Sequence, residues 1–201
     1  MEQASKAIEK ALITPGRKVY IYGCGSTGRL AKQIESETWK QFWRRLDGSA
    51  LLEKIQGALG DKMGDKIIGE LTGGDRALVN ALEGFEDLLV IGDLQLQENQ
   101  VKRGDVVIAV TEGGETSSVI GTILAAWRQY GLDELSGQER DERAAEARSN
   151  LYFIFNNPSD VLLPFERSRK VLENEEITKI PLWTGPQAIG GSTRMQASTS
   201  E

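Results

Sequence analysis

A strand-like run, VYIY at residues 19–22, breaks into GCGSTGR at 23–29, and those residue types at that spacing suit the capture of a phosphate. Gly23, Gly25 and Gly28 let the backbone approach a ligand closely, while Ser26 and Thr27 put hydroxyls where a following helix presents its unpaired N–H groups. The spacing also satisfies G-x-G-x-x-G, the pattern of a dinucleotide site. Such a site needs an acidic residue about 20 positions on, at the tip of a second strand, to hold a ribose. Asp47 stands at that distance, but it follows a segment in which Trp39, Phe42, Trp43 and Leu46 recur at helical spacing, so no strand ends there. A sugar phosphate is therefore preferred, with a dinucleotide and a ligand-free glycine turn as the alternatives.

The elements that must position this loop alternate along the chain. Residues 2–13 pattern as an amphipathic helix stopped by Thr14-Pro15-Gly16, and residues 17–22 as a first strand. Helix is expected over 28–46, 49–59, 75–90, 117–130 and 164–173, with a polar helical extension at 133–149. Strands are expected at 66–71, 105–110, 151–155 and 177–182. DVVIAV at 105–110 is a continuous apolar run after Asp105, as a central strand covered on both faces requires. Strands alternating with helices predict a parallel, doubly wound α/β sheet, whose ligands bind beyond the carboxyl ends of the strands. LTGGDR (71–76), TEGGETSS (111–118) and TGPQAIGGSTR (184–194) all fall at such ends, as GCGSTGR does. Four glycine and hydroxyl clusters in equivalent places are far more specific than one.

Composition narrows the chemistry. The chain has 201 residues, no histidine and a single cysteine, Cys24, which removes Ser-His-Asp triads, Cys-His pairs, zinc sites and intrachain disulfides. Proton transfer would fall to carboxylates, and Cys24 reads as a small spacer in the turn. The formal net charge of −6 argues against nucleic acid as a partner. No apolar run approaches membrane length, and one thiol without a signal peptide fits the cytoplasm.

GCGSTGRL (23–30), TGGDRALVNALEGFED (72–87), DVVIAVTEGGETSSVIG (105–121), NNP (156–158) and GPQAIGGSTRMQA (185–197) together resemble a sugar isomerase (SIS) domain. The GGDR, EGFED and STRMQ forms are similar to the branch holding N-acetylmuramic acid 6-phosphate etherases and glucokinase regulatory proteins. The resemblance implies a three-layer α/β/α sandwich with a parallel five-stranded sheet of flavodoxin-like order, formed by residues 1–201 as a single SIS domain. It implies a hexose 6-phosphate or amino-sugar phosphate as ligand, with no cofactor and no metal. Gly25, Ser26, Thr27 and Gly28 match one phosphate loop; Thr111, Thr116, Ser117 and Ser118 match the second; Ser192 and Thr193 match the last motif. Glu83 and Glu86 match a stretch that holds sugar hydroxyls.

By the same resemblance Glu37 and Glu86 match the two catalytic glutamates of the etherases, which eliminate lactate from the opened sugar. A glutamate pair suffices for that proton traffic when burial tunes it. Glu37, in IESETWKQFW, reads equally as an exposed helix charge before an apolar stripe. The second loop departs from the etherase pattern at Gly113 and Glu115, and residues 38–65 form a helical insertion in place of a proline-rich segment. Those departures favour a sensing or regulatory role, with the lyase as alternative and an aldose–ketose isomerase behind it. Such domains commonly pair, so a homodimer is expected, and Trp39, Phe42 and Trp43 could pack internally or meet a protein partner. The family's last helix would begin near Glu201, so the expectation is a chain lacking that helix and a possible second SIS domain.

Overall fold

The computed structural model describes residues 1–60, 62–80, 82 and 84–185. Five strands form one sheet: β1 (Val19–Gly23), β2 (Ile67–Leu71), β3 (Val106–Val110), β4 (Leu151–Phe155) and β5 (Thr178–Pro181). Their order is β2-β1-β3-β4-β5 and every neighbouring pair is parallel. This is the expected flavodoxin-like order, with the apolar run after Asp105 at the centre and β1 beside it, Ile21 opposite Ile108. The order reverses between β1 and β3, which places a switch point at their carboxyl ends.

Each residue of β1, β3 and β4 is buried, and the two-residue repeat of a strand divides them between two layers. Tyr20, Tyr22, Val107, Ala109, Phe153 and Phe155 point into one core. Val19, Ile21, Val106, Ile108, Tyr152 and Ile154 point into the other. The second core is closed by α1 (Glu2–Ile13) through Ala4 and Ala11 and by α2 (Ser26–Gln33) through Ala31. A sheet so apolar on both faces requires cover on both.

The expected helix over 28–46 is present but not uniform. After α2 the chain widens into a π-helical segment, Ile34–Lys40, before returning to α-helix as α3 (Gln41–Arg44). Trp43 packs edge-on against Trp39 and Phe42, with ring centroids 5.5 and 5.1 Å away, and Trp39 Nε1 donates to Met63 O at 2.7 Å. α4 (Ala50–Leu59) follows, its first turn capped by the Ser49 hydroxyl and its end by Gly60 in the left-handed region.

The helix expected over 75–90 is corrected. Among the described residues of that span lie α5 (Arg76–Val79) and a tight turn at Phe85–Asp87, and the crossover helix α6 starts only at its end, running from Leu89 to Glu98. Gly84, at φ +82°, turns the chain left-handed between them, a conformation that ends a helix. α6 then lies against α7 (Ser117–Arg128). A Cβ on Gly92 would strike Ser118 O and Thr122, and one on Gly121 would strike Leu89 O, so the two helices meet backbone to backbone. The polar run forms α8 (Gly137–Asn150), and α9 (Ser159–Leu162) and α10 (Glu166–Leu172) link β4 to β5.

Edge strand β2 carries a buried charge cluster. Glu35, in the π-helical segment, accepts from Gly69 N at 3.0 Å and pairs with Lys40, while Lys32 lies 3.9 Å from Glu70 and 2.9 Å from Asp75. Burial pushes the Glu70 carboxyl up; Lys32 and the Asn99 amide pull against it. Because the folded state holds this proton more tightly than the unfolded chain, the contribution is complete below pH 4.5 and is lost as pH rises through the raised value. Glu70→Gln should therefore gain stability relative to wild type on going from pH 4.5 to 7, read from urea midpoints at both. Equal differences at the two pH values would contradict this.

Candidate functional site

Three of the four clusters open at the carboxyl edge of the sheet, around the switch point, and they are joined by hydrogen bonds. Thr72, just beyond β2, donates to Gly23 O at 3.3 Å, and its hydroxyl shares a 2.9 Å bond with the Ser118 hydroxyl in the first turn of α7. The ends of β1 and β2 and the start of α7 thus form one buried net. The Tyr22 phenol, pushed up to about 12 by burial, stays protonated beneath it and donates to Gln95 Oε1 at 2.9 Å. Gln95 also accepts from Gly73 N and donates to Leu71 O, fixing the LTGG turn from α6.

In the first loop the glycines have distinct tasks. A Cβ on Gly28 would lie 2.5 Å from Leu71 Cδ1 and 2.6 Å from Gly23 O, so this residue sets the close seating of α2 on the sheet. Gly25 caps α2 at φ +58°, and a Cβ there would meet nothing within 4 Å, which leaves the front of the loop open. Thr27 is buried and committed internally: its hydroxyl donates to Cys24 O at 2.9 Å and accepts from Cys24 N at 3.1 Å. Among the described residues the half-buried Ser26 hydroxyl has no hydrogen-bond partner.

The second loop repeats this division. Thr111 Oγ1 bonds Thr116 Oγ1 at 2.9 Å and accepts from Gly114 N at 3.3 Å, which curls residues 111–116 over the start of α7. Thr116 is the N-cap residue and Ser117 opens the helix. Gly114, at φ +84°, packs against Leu162 of α9, and the segment after β4 holds the loop at two more points. Asn157 Nδ2 donates to Gly113 O and the Ser168 hydroxyl to Gly114 O, both at 2.9 Å. Two helices, α2 and α7, therefore begin at the ends of adjacent strands, on opposite faces of the sheet, with serine or threonine in the first turn of each. Their aligned dipoles and unpaired N–H groups favour an anion between them.

The acidic residues are arranged unequally. Glu86, in the turn before α6, is half-buried and close enough to Cys24 for its charge to add to burial in pushing the thiol up. Glu37 is exposed on the π-helical segment and accepts from Gln41 at 2.8 Å. The inward-facing carboxylate of that segment is Glu35, and it is spent on the edge of β2. Glu83, Ser192 and Thr193 lie outside the described residues. Sequence reasoning did not single out Thr72, Gln95 or Arg167. Thr72 stood within a noted cluster, whereas the other two carry no local pattern that marks them.

A family model described as the glucokinase regulatory protein N-terminal SIS domain matches residues 3–127. The chain belongs to that SIS-domain family. It is also similar to curated N-acetylmuramic acid 6-phosphate etherases: one from Vibrio atlanticus (strain LGP32), 28% identical over 204 residues, covers 100% of this chain and 51% of that protein. Those of Picosynechococcus sp. (strain ATCC 27264 / PCC 7002 / PR-6) and Yersinia pestis (strain Pestoides F) are each 28% identical over 199 residues, covering 99% of the chain and 50% and 52% of the relatives. The chain spans about half the length of the curated relatives it matches. Among the described residues no helix is long and apolar enough to cross a membrane.

Proposed function

We propose that this chain is a phosphosugar-binding SIS domain with a sensing or regulatory role similar to that of glucokinase regulatory protein. What supports the reading is the start of α2 and of α7 at the ends of adjacent strands, where Ser26, Thr116 and Ser117 stand at the two helix openings while Thr27, Thr72 and Ser118 brace the loops from behind. Hydroxyls and helix N-termini surround a phosphate without a resident cation. Its ligand is a hexose 6-phosphate or amino-sugar phosphate, with Glu86 beside the mouth to accept from sugar hydroxyls. We place Glu83 with it, and Ser192 and Thr193 at the far side of the same ligand. A cytoplasmic homodimer belongs to this reading.

A lyase of the etherase type is the second reading, favoured by relatives of that name covering almost the whole chain. Its elimination needs two groups for proton transfer, and Glu37, exposed and bonded to Gln41, is poorly placed to be one of them. Calorimetric titration with N-acetylmuramic acid 6-phosphate, combined with a lactate assay, separates the two readings. Binding without lactate release is expected. Lactate release that Glu86→Gln abolishes would establish the lyase and overturn the preference for a sensor.

A further inference from the structure

The two phosphate loops carry no cationic side chain of their own that bonds into them, yet one guanidinium reaches the second loop from α10. Arg167 Nη1 donates to Ser117 Oγ at 3.1 Å, and Nη2 lies 3.7 Å from Glu115 Oε1. The base of this residue is fixed, because its neighbour Ser168 is fully buried and bonded to Gly114 O. Its tip is not. The side chain is 46% exposed, and the Glu115 pair is half-open to solvent at a separation where ion pairs are weak. A cation held at the first turn of α7 also faces the positive end of the helix dipole, an unfavourable placement that one carboxylate only partly offsets. An anion seated between the guanidinium and the helix would satisfy both.

We propose that Arg167 is a ligand-contacting residue that sets specificity for a dianionic phosphate monoester, and that Glu115 holds it in a resting position. On entry of the ligand, Arg167 exchanges the Glu115 carboxylate for phosphate oxygens, to which it can donate two parallel bonds. Glu115 is thus an internal competitor: a dianion displaces it, and a neutral sugar does not. The inference rests on the phosphosugar reading.

The test is calorimetry of the whole chain with N-acetylglucosamine 6-phosphate, and with N-acetylglucosamine as the neutral control. Arg167→Gln is expected to weaken binding about ten-fold or more, with Arg167→Lys recovering part of the loss because it restores charge without the fork. Glu115→Gln is expected to tighten binding about three-fold or more by removing the competitor. Binding should also fall more steeply with added salt in wild type than in Arg167→Gln. A purely structural Arg167 would predict neither the tightening nor the change in salt slope. If wild type binds and Arg167→Gln binds equally well, or Glu115→Gln binds more weakly, the inference is overturned while the phosphosugar reading stands. No binding by wild type overturns both.

Discussion

Gly28→Ala is expected to cost this protein several kcal/mol of stability and to abolish phosphosugar binding. The added Cβ would lie 2.5 Å from Leu71 Cδ1 and 2.6 Å from the Gly23 carbonyl oxygen. The carbonyl belongs to β1 and cannot yield, so α2 must lift from the sheet. That displacement removes Thr27 from Cys24 and opens the first phosphate loop. Overpacking of this kind costs about 1–3 kcal/mol where side chains can adjust, and more where backbone blocks the way. Gly25→Ala is the control: it faces open space, and its penalty comes only from the positive-φ backbone at φ +58°, ψ −120°, about 1–3 kcal/mol. Equal urea midpoints for Gly28→Ala and wild type would contradict the packing described for α2.

Removing hydroxyls from the second loop should separate ligand contact from support. Thr116→Ala takes away an N-cap oxygen at the mouth and should weaken hexose 6-phosphate binding by about 1–3 kcal/mol, the range for hydrogen bonds to a charged group. Ser118→Ala removes a fully buried hydroxyl whose partner, Thr72, ties the end of β2 to Gly23. It should lower both affinity and stability, the latter by about 1–2 kcal/mol for the buried partner left with one bond fewer. Paired calorimetry and chemical unfolding read both quantities. A Thr116→Ala protein that binds as wild type does would remove the N-cap from the site.

Much of this architecture was legible because its strongest features are local. The β-branched run before TEGGET could only be a strand covered on both faces, and the glycine clusters at 23–28, 71–76 and 111–118 marked the carboxyl edge of the sheet. The starts of α2 and α7 were legible for the same reason, since helix starts rich in serine and threonine declare themselves in the sequence. What failed was the interval from 75 to 98. The crossover helix α6 contains Gly92, which reads as a weak point in a helix, yet glycine is required there for the close approach to Thr122 of α7. That requirement lies in a contact 30 positions away and leaves no local trace.

The π-helical segment was hidden by the same limit. IESETWK has an ordinary helical composition, and only tertiary structure shows that its widening places Glu35 against Gly69 while Glu37 stays in solvent. Counting along an ideal helix therefore could not say which glutamate turns inward. Arg167 was invisible for a different reason: it approaches Ser117 from 50 residues away, through a short helix fixed by Ser168. Ends of strands announce a site, whereas the groups that reach it from other layers do not.

The most direct test of the proposed site is a crystal structure of this chain soaked with N-acetylglucosamine 6-phosphate. The account predicts the phosphorus between residues 25–28 and 111–118, within hydrogen-bonding reach of Ser26 and Thr116, with the sugar extending toward Glu86. A phosphate seated away from both loops, out of reach of Ser26 and Thr116, would contradict it.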